Sequence, residues 1–445
     1  MCILVVIGGV RLVRKGRPAA LVWRAEPYSS RNMNIGAFRY RDFRLLLAGG
    51  ALVGFVMPMQ FLTQIFWIQD RYPDREVLYV SLVAASRGSA MLLFGLLGGA
   101  IADRFERRLV LFGCQAATLV IHALVALLMV VEPLGSANIA ALLALTFLAA
   151  GAMSIDQPAR TASTPAIVGM KDLSNGVSLQ MFAQQITFPL SLPLVGFLNE
   201  WLDAGTVYSL TLIAWVFILP LILMMRYRSR GEGNRGVGVL RNIGEGLRYT
   251  RRDTTIFAVI TIVVAIQVLG MPGPATLGPV WMTKILGLSP TQFGFMAMTW
   301  GLGTLTASIF YLYRSDLPTK GIVLWLAAAG FAVGAIVFAH SRFIPLTAVA
   351  NFGLGFCMVS TMVSASTISQ HVVSEEMRGR VMGLFPLAMG LQMLGGLPIG
   401  IAGQALGLPL VFPILAWTAL AAVLVVMVIQ PGLRLVGRRA QPQAA

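Results

Sequence analysis

Charge is scarce in this chain, and negative charge scarcer still: 12% of its 445 residues are Asp, Glu, Lys or Arg, and only 18 are acidic. A soluble domain carries roughly 25% charged residues, so this one lacks the polar surface that would hold it in water. Lysine is nearly absent. None of Lys15, Lys171, Lys284 and Lys320 sits in a Gly-x4-Gly-Lys-[Ser/Thr] loop, which excludes nucleotide-driven pumping by this chain alone. The only histidines are His122, His340 and His371, with no His-Glu-x-x-His pair and no acid cluster beside them. An enzyme working in the membrane would need such a constellation, so no catalytic site, metal or cofactor is expected. Cys2, Cys114 and Cys357 have neither disulfide nor metal-ligand spacing.

Apolar residues fill the space: 57% of the chain is hydrophobic and its mean hydropathy is +0.78. Stretches of about 20 apolar residues, the length of a helix that crosses a hydrocarbon core, recur from end to end. They fall at 43–67, 78–101, 109–131, 137–155, 175–199, 206–226, 255–283, 291–313, 321–340, 343–368, 380–405 and 409–430. Lipid offers the backbone no hydrogen bonds, so each stretch must be a helix. The fold class is therefore an all-α polytopic membrane protein with 12 transmembrane helices.

Of the 34 Lys and Arg residues, 29 fall in the amino-terminal segment and in every second loop after it. The other loops hold only Arg71, Arg75, Lys284 and Arg342, and Arg87 lies within a span. Positive loops stay in the cytoplasm, which assigns both termini and the midpoint linker to that side. The formal net charge of +16 is thereby explained by topology and anionic lipid rather than by a nucleic-acid partner.

The expected organisation is a basic cytoplasmic tail (1–42), a six-helix bundle (43–227), a cytoplasmic linker (228–254), a second six-helix bundle (255–430) and a cytoplasmic tail (431–445). The apolar run Cys2 to Val10 is too short to span and has no cleavage signal after it; residues 1–32 read as a basic tail or as sequence upstream of a start at Met33. Segments 165–177 and 370–381 lie about 205 residues apart and lead into the fifth and eleventh spans. Two six-helix pseudo-repeats enclosing a midplane site are the reading.

Phe38-Arg39-Tyr40-Arg41-Asp42-Phe43-Arg44, the hairpin Gly99-x3-Asp103-Arg104-x2-Arg107-Arg108, Asp156-x-Pro158-Ala159-Arg160 and Arg378-Gly379-Arg380-Val381 together resemble the major facilitator superfamily. Within it, the drug and siderophore efflux branch of enterobactin and macrolide exporters is most similar. The resemblance implies a transporter of the bacterial inner membrane, acting as a monomer by alternating access and drawing on a proton gradient. It also implies that Asp103 faces the amino-terminal end of the eleventh helix, with Arg104, Arg107 and Arg108 pairing with carboxylates and lipid phosphates while the cytoplasmic gate is shut. Asp156, Arg160 and Arg378 complete that gating set. The chain departs from the pattern at Glu106, where a glycine is usual, and the branch's glycine-proline signature in the fifth span survives only as Pro193 and Gly196.

Arg87 is the intramembrane charge, and a buried cation is a functional residue by default. It either binds an anionic substrate group or pairs with Asp70 or Asp74. Neutral polar residues supply the remaining cavity candidates: the stripe Gln180, Gln184, Thr187 and Ser191, then Gln60, Gln64, Gln267, Asn351 and Gln392. Interhelical gluing is the alternative role for all of them, and His122 reads as a packed histidine. Every carboxylate is expected near a span end, which leaves Asp70 and Asp103 as the proton-carrying candidates. With 22 Met and 24 Phe available for adaptable walls, the expected cargo is a small apolar or amphipathic organic molecule. A catecholate siderophore is the second choice, and a non-transporting receptor or scaffold of the same fold the third.

Overall fold

A computed structural model describes residues 36–228, 239–314 and 320–436. The apolar run at the amino terminus, the glycine-rich first part of the linker and the last nine residues lie outside the described residues. Twelve helices are long and apolar enough to cross a membrane, as the hydropathy pattern predicts. They are α1 (Arg41–Arg71), α2 (Glu76–Arg104), α3 (Arg107–Val131), α4 (Gly135–Leu173), α5 (Asn175–Trp201) and α6 (Ala204–Leu223) in the first half. The second half holds α7 (Thr254–Ile285), α8 (Pro290–Tyr313), α9 (Lys320–His340), α10 (Ile344–Val372), α11 (Glu375–Leu406) and α12 (Leu408–Ile429).

Three of the described spans start at a side-chain cap. Asp203 caps α6 by accepting from the Thr206 amide at 2.8 Å, and the Thr206 hydroxyl, which also donates to it, holds the Asp203 carboxyl below the usual carboxylate range. Asp253 caps α7 through the amides of Thr255 and Ile256, both at 2.9 Å. Ser289 and Gln292 form a reciprocal capping box at the start of α8.

Two connections are shorter than expected. Only Phe105 and Glu106 separate α2 from α3, because both helices run into the charged hairpin. More consequentially, α4 and α5 form one stretch of helix, Asn138–Trp201, broken by a single non-helical residue, Gly169 (φ 71°, ψ 169°). The expected loop at 156–174 is helical. Pro158 has no N–H for the Ser154 carbonyl, which turns toward Gly98 on α2, while Ser163 and Thr161 return hydroxyl bonds to Ala159 and Gln157. Asp156 is consequently an intrahelical residue with no exposure, not a span-end residue as its position in the hydropathy pattern predicted.

Between the halves, α2 packs along α11 and α5 along α8. With lipid outside, helices associate through close packing of small residues. A Cβ on Gly88 would meet Met393 and the Gly390 carbonyl, and one on Gly294 would meet the Leu192 carbonyl oxygen at 2.5 Å. One apolar cluster joins both halves at the end away from the basic hairpin, through Ile65, Val80, Leu277 and Leu408, and in the second half continues to the basic end at Leu324, Ile368 and Leu433. At the basic end the first half keeps a separate cluster around Leu46, Val110 and Ile218. In α7, the run Met271-Pro272-Gly273-Pro274 is flanked and spanned by π-helical turns, since two prolines withhold amide donors.

Gly294→Ala is expected to lower the melting temperature in detergent by several degrees, because overpacking costs about 1–3 kcal/mol. Gly353→Ala, where a Cβ meets nothing within 4 Å, is the control that leaves it unchanged; equal melting temperatures for the two variants would remove the close-packed seam from the account.

Candidate functional site

Hydrogen bonds between the halves concentrate at the end opposite the basic hairpin. Gln69 donates to Thr283 Oγ1 at 2.7 Å, linking α1 to α7. Lys284 Nζ lies 3.4 Å from Glu76 Oε2, linking α7 to α2. Gln404 of α11 donates to the Asp74 carbonyl at 2.6 Å, and Glu200 of α5 accepts from Ser289 Oγ and the Thr291 amide of α8 at 3.0 and 2.9 Å. The deepest cross-half bond joins Gln185 to Ser308 at 3.2 Å, about 24–27 Å from that rim at 1.5 Å per residue. Among the described residues no hydrogen bond or ion pair joins the halves nearer the basic end. Sequence reasoning missed this clasp. Glu76, Glu200, Lys284 and Gln404 are isolated polar residues at span ends, and only the juxtaposition of the two halves gives them partners.

At the basic end the contacts among the described residues stay within each half or tie a half to the linker. Asp156 and Arg160 form a buried i,i+4 pair at 3.0 Å, Gln115 of α3 donates to Asp156 Oδ1 at 2.9 Å, and Arg160 reaches the Leu46 carbonyl of α1 at 3.3 Å. Both residues are buried, so the two do not form a solvated surface pair. Arg107 donates to the Ala162 carbonyl at 2.9 Å, and Arg108 to the last carbonyls of α6, Ile222 and Leu223, at 3.3 and 2.5 Å. Arg108 needs no carboxylate there, since helix carboxyl ends attract cations. Arg104 is exposed. The Asp103 side chain and the surroundings of Gly99 lie outside what the structure describes. Arg378 is half-buried with its Nε unpartnered, while its neighbour Arg380 pairs with Glu245 of the linker helix Val239–Arg252 at 2.7 Å. Asp42 accepts from the Arg226 and Tyr227 amides at 3.1 and 2.6 Å, tying the linker's start to α1.

Near mid-membrane, Arg87 Nη2 donates to Gln64 Oε1 at 3.0 Å and its guanidinium lies 4.6 Å over the Phe61 ring. Gln64 donates in turn to Tyr208 at 3.2 Å, and the Tyr208 hydroxyl sits 2.7 Å from His122 Nδ1. The His122 ring packs 5.2 Å from Trp215. No ion pair joins Arg87 to Asp70 or Asp74 among the described residues; Asp70 is exposed at the rim.

The neutral candidates separate by location. Gln60 and Gln64 are buried inside the first bundle, Gln60 bonding Thr211 of α6 at 3.0 Å. Gln180 and Gln184 line a small pocket with Arg160 and Gly50, and the Gln180 amide nitrogen has no partner. Thr187 packs against Gly54 of α1. Asn351 bonds the Met296 carbonyl and Thr299 of α8 at 2.9 and 3.0 Å, an α8–α10 tie. Gln392 is buried on α11, and Gln267 is buried in a π-helical turn of α7 with its Oε1 unpartnered.

Several solved structures that share this architecture are described as transporters. The chain superposes on a point mutant of the nucleoside transporter NupG with TM-score 0.71 at 13% identity, covering 87% of this chain and 99% of that one. It superposes on a POT family transporter in complex with 5-aminolevulinic acid with TM-score 0.71 at 10% identity (88% and 97% covered). A D-xylose-proton symporter gives 0.65 at 14% identity (87% and 96% covered). At such identities the likeness establishes the fold alone. No curated protein matches the chain significantly in sequence. The model of one family, described as transmembrane secretion effector, matches residues 62–438. A major facilitator transporter fold of twelve helices and a match across most of the sequence agree, and the chain belongs to the transmembrane secretion effector family.

Proposed function

We propose that the protein is a secondary active exporter of a small apolar or amphipathic organic molecule. Its two bundles, 43–227 and 255–430, rock about a site between them, powered by the proton-motive force. The observation that carries this reading is the asymmetry of the bonds between halves: a clasp at one rim and, among the described residues, none at the other. A transporter clasped at one rim, with Gln185–Ser308 the one deeper bond between the halves among the described residues, fits opening toward the opposite compartment. The positive loops make that compartment the cytoplasm, so the site faces the side from which an exporter loads. The protein acts as a monomer in the bacterial inner membrane with both termini inside, and the basic loops rest on anionic lipid.

In the opposite state the cytoplasmic rim closes. Asp103, Arg104, Arg107, Arg108, Asp156, Arg160 and Arg378 then form the closing network, and Asp103 meets the amino-terminal end of α11. Contacts made in one state only are what bias the equilibrium between states. The efflux-branch resemblance supports outward transport. The substrate range, drug-like amphiphiles or a catecholate siderophore, is tested by sensitivity profiling of a deletion strain against antibiotics and under iron limitation, with and without an uncoupler. Protection that the uncoupler abolishes is the expected result; indifference of the deletion strain to every compound would end the exporter reading.

Cysteines at Gln69 and Thr283, bridged by a short thiol cross-linker in a background without native cysteines, are expected to arrest transport reversibly. Unchanged flux with complete cross-linking would rule out rocking about this clasp. Asp156→Ala, which strands Arg160 as an unpaired buried cation, should destabilise the protein by about 3–5 kcal/mol. The double change Asp156→Leu with Arg160→Met should recover most of the melting temperature but not transport.

A further inference from the structure

Arg87 is a cation held inside the membrane with no counter-charge among the described residues. Gln64 takes one of its N–H groups, and a guanidinium has five. The others have no protein acceptor among the described residues, and the residue is half-buried rather than sealed. An intramembrane charge of this kind is normally paired or turned toward a water-filled space. No carboxylate pairs with it among the described residues, and its partial exposure fits the second arrangement.

Three placements turn Arg87 toward the space between the halves. Its neighbour Gly88 packs on Met393 and Gly390 of α11, so Arg87 adjoins the seam. Phe61, beneath the guanidinium, is itself half-buried on α1, the helix that bonds the second half through Gln69 and Thr283. Along α2, Arg87 sits 11 residues below Glu76 of the clasp, about 17 Å beneath the closed rim. Behind it, the orientation of Gln64 is fixed. Its amide nitrogen donates to Tyr208, which is braced by His122, so its carbonyl oxygen points at Arg87. The guanidinium is thus held in place by neutral groups, backed by an apolar ring, and keeps donors free.

We propose that Arg87 is the receptor for the anionic headgroup of the cargo, which is an amphipathic organic acid, a carboxylate or sulfonate with an apolar body. This rests on the exporter reading and specifies its substrate class. It also accounts for the shortage of intramembrane carboxylates. An anion leaving the cytoplasm moves with an inside-negative potential, so the electrical part of the proton-motive force drives export without a dedicated proton carrier in the spans.

The test uses the purified full-length protein in a non-ionic detergent and acids matched with neutral amides: 1-naphthoate with 1-naphthamide, and octanoate with octanamide, plus octanesulfonate. Thermal-shift titration is expected to show at least one acid binding tenfold or more tighter than its amide. That preference should vanish in Arg87→Gln and survive in part in Arg87→Lys. Gln64→Glu supplies a carboxylate from within, so it should abolish acid binding while the melting temperature holds or rises, an outcome that a purely structural Arg87 would not produce. Equal binding of acids and amides, no binding by any acid, or undiminished acid binding in Gln64→Glu would overturn the proposal. Proteoliposomes with an imposed inside-negative potential separate the two readings: Arg87-dependent binding without movement keeps the receptor and removes the exporter, whereas Arg87-independent movement of neutral amides does the reverse.

Discussion

Hydrocarbon offers no partner for a hydrogen bond, and most of this structure answers to that one constraint. It makes every span a helix, and it obliges polar side chains within the spans to find one another. The buried pair Asp156–Arg160, the Gln60–Thr211 bond and the Gln64–Tyr208–His122 row are three separate answers within one bundle. Where proline removes a backbone donor, the chain compensates locally: hydroxyl groups fold back on carbonyls around Pro158, and α7 widens into π-helical turns around Pro272.

The same constraint sets how the two halves adhere. Apolar surface gains little by leaving lipid for protein, so the long seams rely on contact between backbones, through glycines facing carbonyls on α2–α11 and α5–α8. Apart from Gln185–Ser308, the polar bonds between the halves among the described residues lie at the clasped rim, where they can be exchanged for water when the rim parts. A seam of small residues tolerates tilting, while a rim of hydrogen bonds supplies two distinct states. That division of labour suits a molecule that must hold one arrangement and then its opposite.

Most of the architecture was legible in the sequence because hydropathy and loop charge report directly on lipid and topology. All twelve spans fall where the apolar runs lie. The boundary that failed, between α4 and α5, failed because Asp156, Arg160 and Lys171 lower the hydropathy of a segment whose backbone is nonetheless helical. The functional residues were less legible. Arg87 stands out as a lone charge in an apolar run, and the Asp156–Arg160 spacing predicts its own contact. Asn351 and Gln60 have the same appearance in sequence as a cavity-lining residue, yet each is spent on a neighbouring helix. The clasp residues could not be found at all without the fold, since Glu76 and Lys284 are more than two hundred positions apart.

The handover from α4 to α5 carries a mechanical implication. With no loop between them, only the torsions at Gly169 separate the α5–α8 seam from the Asp156–Arg160 pair. Sliding of α5 against its neighbour in the other half is therefore transmitted to α4 with little slack, like a bell-crank turning on a single pin. Whatever happens at the interface during a transport cycle is felt at the buried ion pair on the basic side.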